Sequence, residues 1–216
     1  MKNIQLLIAI TLLICIGMSF QVFAEEKNIE LPEAQKEGGM PLMEALALRR
    51  SQRNLSEEAV SDQILSSLLW AATGENRPNG YRTVPSARNW RGIDVYVARP
   101  DGLFLYQPDK HRLLQIKTDD VRPHTGGQEF VQKAPVVLIY VADHARMADA
   151  PPEAVKFYSA TDTGFISQNV YLFCAANDLA TVVVGWVDKE NLKKEMGLSE
   201  TQHVILTQPV GHPARD

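Results

Sequence analysis

The chain has 216 residues, 45% of them hydrophobic and 22% charged, with a formal net charge of −4. This composition excludes intrinsic disorder, collagen and a coiled coil. The 22 Lys and Arg against 26 Asp and Glu exclude a surface built for nonspecific nucleic-acid binding, though not a local basic cluster holding one phosphate.

Residues Met1 to Ala24 carry Lys2, an apolar run from Ile4 to Ile16, and Val22-Phe23-Ala24 at the end. That is the pattern of a secretory signal cleaved after Ala24. The expected protein is periplasmic or secreted, with no membrane attachment after cleavage. The other reading is an uncleaved anchor, for which the apolar stretch is short of the roughly 20 residues a span needs. Cys15 leaves with the signal. The remaining Cys174, flanked by Leu172, Phe173, Ala175 and Ala176, reads as a buried small hydrophobe rather than a nucleophile.

Residues 25–40 are polar and read as a flexible leader before a single domain over 41–216. From Pro41, Leu42, Met43, Ala45, Leu46 and Leu48 recur at helical spacing, and Arg49-Arg50-Ser51-Gln52-Arg53 breaks the pattern. Ser56 as N-cap, with Val60, Ile64, Leu65, Leu68, Leu69 and Ala72 on one stripe, predicts a helix over 57–73 ended by Gly74. Residues 75–92 form a long loop of the kind that carries function. Strands are predicted at 94–98, 103–106 and 113–116, the first two joined by the Pro100-Asp101-Gly102 turn. Residues 119–133 look polar and mobile. The continuous apolar run 136–142 predicts a strand covered on both faces.

A buried helix is expected over 157–179, its stripe formed by Phe165, Gln168, Tyr171, Leu172, Ala175, Ala176 and Leu179. Residues 182–187 should be a central strand, 189–196 a short helix capped by Asp188 and stopped at Gly197, and 204–207 the last strand. Helices and strands mixed around one sheet give the α+β class.

No nucleophile elbow, no H-E-x-x-H and no paired-cysteine metal site is present. The five histidines, 111, 124, 144, 203 and 212, lack ligand spacing, so no metal is expected. A functional-looking loop without a nucleophile points to a bound cofactor as the carrier of the chemistry. Arg49, Arg50, Ser51 and Arg53 can surround a phosphate, although a basic run also complements a helix C-terminus. In Pro85-Ser86-Ala87-Arg88, small residues would let the backbone approach a flat ring with Arg88 at its polar edge; a plain surface turn is the alternative.

Taken in order, five stretches resemble the FMN-dependent nitroreductase family, nearest in pattern to its SagB-type dehydrogenase branch. They are R-R-S-x-R at 49–53, L-L-W-A-A-T-G-E-N-R-P-N-G-Y-R-T-V-P-S-A at 68–87, and G-L-F-L-Y-Q-P-D-K-H-R-L at 102–113. D-T-G-F-I-S-Q-N-V-Y-L-F-C-A-A-N-D-L with V-V-V-G-W-V at 162–187, and M-G-L-S-E-T-Q-H-V-I-L-T-Q-P-V-G-H-P at 196–213, complete them. The resemblance implies an interlocked α+β homodimer with a mixed sheet flanked by helices and an FMN in each of two clefts at the interface. Arg49, Arg50, Ser51 and Arg53 would hold the phosphate and ribityl chain, with Arg215 adding to them. Pro85, Ser86 and Ala87 would reach the ring from the partner subunit; Arg88, where the family pattern has small or apolar residues, would either select an anionic substrate or point to solvent. Val183, Val184 and Gly185 would pass the flavin N5 edge. It further implies ping-pong electron or hydride transfer through N5, to or from a small organic substrate, with NAD(P)H as the family's common donor. A non-catalytic exported binding protein on the same scaffold, or a dehydrogenase of a modified peptide, are the other functions this pattern allows.

Overall fold

The computed structural model describes residues 28–215. The expected signal and its cleavage point lie outside the described residues, and within them no helix is long and apolar enough to cross a membrane.

In chain order the elements are β1 (Asn28–Glu30), α1 (Leu42–Leu48), α2 (Asp62–Thr73), β2 (Ile93–Arg99), β3 (Gly102–Gln107), β4 (Arg112–Lys117), α3 (Glu129–Lys133), β5 (Val136–Asp143), α4 (Pro152–Ala176), β6 (Ala180–Thr181), α5 (Lys189–Met196) and β7 (Gln202–Gly211). The strands form one sheet in the order β1-β4-β3-β2-β5-β7-β6, and its pairings are antiparallel. The expected α+β class is what the fold shows.

The apolar run of β5 takes the middle of this sheet because both of its faces are covered. Val136, Leu138, Tyr140 and Ala142 join one core with residues of α2 and α4. Val137, Ile139 and Val141 point the other way into a second core with Leu192 and Met196 of α5. Alternation along one strand thus feeds two hydrophobic layers.

Several expectations are corrected. α2 begins at Asp62, five residues later than predicted, with Ser61 as N-cap accepting from the Ile64 amide at 3.3 Å. Ser56 cannot start the helix because its amide donates to the His212 carbonyl at 2.8 Å, which holds this segment beside the C-terminal chain. Residues 182–187 are no central strand. Only Ala180–Thr181 is a strand, at the sheet edge, followed by a single bridge between Val184 and Thr207.

The expected mobile segment 119–133 is packed, with Val121 and Val131 buried and Arg122 joined to Asp120 at 2.7 Å and to the Ala134 carbonyl at 2.9 Å. Part of the expected flexible leader lies along the fold: Ser66 Oγ donates to the Pro32 carbonyl and the Gln35 amide donates to Ser67 Oγ.

The largest correction concerns α4. Its buried face is Val155, Ser159, Asp162, Thr163, Ile166, Ser167, Val170 and Cys174, whereas Phe157 and Phe165 are 63% and 43% exposed. The small hydroxyl residues can face the core because each closes its own hydrogen bond to the helix backbone. Ser159 donates to Val155 O and Thr163 to Ser159 O, both at 2.7 Å, and Ser167 to Gly164 O at 3.1 Å. Leu42, Met43, Leu46 and Leu48 of α1, which packs on α4, are exposed as well. Trp186 is 83% exposed.

Candidate functional site

Arg49 caps α1, its amide returning to the Ala45 carbonyl, and the chain then turns across α4. One α4 side chain organises this crossing. Tyr171 carries the Arg49 guanidinium over its ring at 5.3 Å. Its hydroxyl lies 3.0 Å from Ser51 Oγ and accepts the Val183 amide at 2.8 Å. The Gln52 amide donates to the Thr181 carbonyl at 2.9 Å. The 49–53 and 183–185 segments, far apart in sequence, are thereby fixed side by side.

The buried Thr207 adds a third segment. Its backbone pairs with Val184, and its hydroxyl donates to the Thr125 carbonyl at 2.7 Å. This brings Gly126, Gly127 and Gln128 alongside, and a hollow of about 280 Å³ lies between Gly126–Gly127 and Trp186–Asn191. A Cβ on Gly127 would meet nothing within 4 Å, and the buried Gln128 Oε1 has no partner. The Gly185 amide is exposed and has no acceptor among the described residues.

At the C-terminus, Leu55 bridges Pro213 and the Ala214 amide donates to the Asn54 carbonyl at 3.0 Å. The same antiparallel register sets Arg215 across from Arg53. Arg50, Ser51, Arg53 and Arg215 are exposed, and none of Arg49, Arg50, Arg53 and Arg215 has a carboxylate partner among the described residues.

The 85–88 segment is anchored elsewhere on α4. Ser86 Oγ donates to Asp162 Oδ2 at 2.9 Å, the Ala87 amide donates to the same oxygen at 3.2 Å, and the Arg91 amide returns to Ser86 Oγ at 2.9 Å. Burial pushes the Asp162 carboxyl up from its ordinary range, and the Ser86 and Ala87 donors pull it partly back. A cavity of about 280 Å³ opens behind Pro85 and Ser86. Arg88 does not enter it. At φ +48° its side chain pairs with Asp149 at 3.2 Å and stacks on Trp90 at 5.3 Å, while Trp90 Nε1 also donates to Asp149.

Asp162 and Tyr171 are nine residues apart on one helix, which is two and a half turns and about 14 Å. They therefore project from opposite sides of α4. One chain brings Arg49, Arg50, Ser51, Arg53, Val183, Val184, Gly185 and Arg215 together, and keeps Pro85, Ser86, Ala87 and Arg88 on the other side. Sequence reasoning missed Tyr171 by counting it into an apolar stripe; its hydroxyl on that stripe was the available signal. It also missed Asp162, a lone acid on a buried face, and the Gly126–Gln128 turn.

A Nitroreductase family profile matches residues 46–212. Over 90% of its length the chain superposes, with a TM-score of 0.85 and 42% identity, on 93% of a crystal structure from Ralstonia eutropha JMP134 assigned as a nitroreductase. A Methanocaldococcus jannaschii protein with the same assignment is 29% identical, covering 85% of this chain and 96% of that one. A structure from Desulfovibrio desulfuricans shares the fold at 22% identity and a TM-score of 0.60, covering 82% of this chain and 89% of that one.

Proposed function

The chain belongs to the nitroreductase family, and from that premise we propose that it is an FMN-dependent oxidoreductase whose redox site is completed by a second copy of itself. The observation that carries this reading is the open anion cluster beside a free backbone donor. Arg49, Arg50, Arg53 and Arg215 gather on one side without acidic partners among the described residues, on the same side as the Gly185 amide, which has no acceptor among them. Unpaired protein cations are what a phosphate dianion needs, and a backbone N–H without an acceptor suits a flavin ring nitrogen. The relative from D. desulfuricans was crystallised with FMN.

FMN held there would supply two-electron redox chemistry between a donor and an acceptor. The residues of this chain position it: Arg49, Ser51 and Arg53 hold the phosphate end, and Tyr171 locks them to Val183. Pro85, Ser86 and Ala87 are on the far side of α4 and serve the ring bound mainly by the partner. The exposed apolar side chains of α1 and α4, Leu42, Met43, Leu46, Phe157 and Phe165, form the patch such a dimer covers. The signal pattern at 1–24 supports export, where the reductant is a carrier other than NAD(P)H and the acceptor is a small organic molecule.

The first test is the absorbance spectrum of the purified protein, with heat release to identify the cofactor. Flavin bands with FMN released are expected. Arg49→Ala with Arg53→Ala should keep the fold and lose the flavin. Each lost charge-assisted bond is worth roughly 1.5–3 kcal/mol, so affinity falls by about two orders of magnitude or more. A colourless protein that also refuses added FMN would replace this reading with a binding protein on the same scaffold.

A further inference from the structure

The chain has twelve arginines, and their partners sort them into two kinds. Arg88, Arg99, Arg112, Arg122 and Arg146 each make an ion pair. Of the seven without one among the described residues, four form the cluster assigned to phosphate. The other three, Arg77, Arg82 and Arg91, all line the single cavity behind Pro85 and Ser86.

That cavity is short of negative charge. Asp162 is the only acid in its wall, and its carboxylate is taken up by Ser86 and the Ala87 amide. Behind the wall, Asp94 is held by Arg146, whose guanidinium also donates to the Arg91 carbonyl, and the Glu75 carboxylate borders Gly80 together with the Arg91 guanidinium without closing an ion pair among the described residues. The Arg82 Nε donor is buried and unpartnered, and so is Thr73 Oγ1 in the same wall. Burial first, and Arg91 second, push the Arg82 guanidinium below its ordinary range, while Asp94 and Glu75 hold it partly up. Asn89 also lines it, accepting from Arg91 Nε at 3.2 Å, and the remaining wall is apolar: Val84, Ile93, Ile166 and the Tyr81 ring, on whose face Arg77 lies at 5.1 Å. A volume of about 280 Å³ equals roughly nine waters at about 30 Å³ each, enough for a one-ring organic molecule.

We propose that this cavity selects an anionic organic substrate, its carboxylate received by Arg82 and Arg91 and its flat apolar body laid between Tyr81, Val84 and Ile166. The assignment rests on the flavin reading, because Pro85 and Ser86 form both the cavity rim and the surface offered to the ring. Arg88 takes no part, because it pairs with Asp149 outside the cavity.

The test is calorimetric titration of the purified protein with phenylacetate and with phenylacetamide, which share a shape and differ in charge. Phenylacetate should bind at least tenfold more tightly, and Arg91→Gln and Arg82→Gln should each abolish that preference. Should Arg82→Gln fail to fold, the more superficial Arg91→Gln decides alone. Equal affinities, no measurable phenylacetate binding at millimolar concentration, or a preference surviving in Arg91→Gln would overturn the proposal. Flavin content, read from the same samples by absorbance, separates the two ideas. Flavin without charge preference refutes the anion cavity alone, and charge preference without flavin refutes the redox reading alone.

Discussion

Tyr171→Phe removes one oxygen and keeps the ring, so it isolates the role of the hydroxyl. That oxygen accepts the Val183 amide at 2.8 Å and meets Ser51 Oγ at 3.0 Å. A net value of about 1 kcal/mol for each bond suggests a loss near 2 kcal/mol. Ser51 is exposed and Val183 half-buried, so water recovers part of it; the expected loss is about 1 kcal/mol, or roughly 2–4 °C in Tm for a domain of this size. The effect on cofactor binding should be larger than on folding. Among the described residues the hydroxyl is the only direct side-chain link between the Arg49–Arg53 turn and the Val183–Gly185 segment, and freeing both would loosen donors at the two ends of the proposed FMN site. A tenfold rise in the FMN dissociation constant corresponds to about 1.4 kcal/mol. Thermal unfolding followed by circular dichroism gives the first quantity, and flavin fluorescence titration the second. Ser51→Ala, which deletes one bond and leaves the Val183 contact, should give a smaller change in both, and the double variant should be less than additive. A Tyr171→Phe protein with a lowered Tm but unaltered FMN affinity would show that the tyrosine merely braces the fold. Unchanged values of both would refute the reasoning altogether.

Asp162→Asn should narrow the pH dependence of stability. The carboxyl is raised in the folded protein, chiefly by burial, so the native state holds its proton more tightly than the unfolded chain does. Stability therefore declines as pH rises from the unfolded carboxylate value of about 3.9 through the higher folded one. Urea midpoints between pH 4 and 7 should fall less with rising pH in Asp162→Asn than in the wild type; parallel profiles would contradict the assignment. Gly197→Ala tests a backbone requirement. Gly197 ends α5 at φ +69° with its amide returned to Lys194 O at 3.0 Å, and an added Cβ would meet nothing within 4 Å. The cost is conformational alone, about 1 kcal/mol, and chemical denaturation showing no loss would contradict it.

Features that depend on near neighbours were legible in the sequence. The run 136–142 announced a strand covered on both faces, Asp188 and Gly197 marked both ends of α5, and Cys174 is 1% exposed as its flanking residues implied. The stripe of α2 was legible too, with Leu65, Leu68, Leu69 and Ala72 fully buried. Its start was not, because a hydrogen bond from residue 56 to residue 212 overrides a local capping signal. The valines at 182–184 have strand propensity, but a tyrosine hydroxyl takes the place of a neighbouring strand at Val183. At the site, residue types in 49–53 and 85–88 were legible. Their placement on opposite sides of α4 was hidden, since periodicity finds an apolar face without saying what covers it.

That inverted helix carries a lesson for engineering this chain. The usual route to a better-behaved protein is to replace exposed large hydrophobes with charged residues and to fill buried small polar sites with aliphatic ones. Applied to α4, the first step would strip Phe157 and Phe165, and the second would wedge methyl groups against Ser159, Thr163 and Ser167, where hydroxyls already close their own bonds in a tight interior. Mutational tolerance along this helix should therefore run opposite to the customary ranking by residue type. A deep substitution scan coloured by polarity would look as though the helix had been installed back to front.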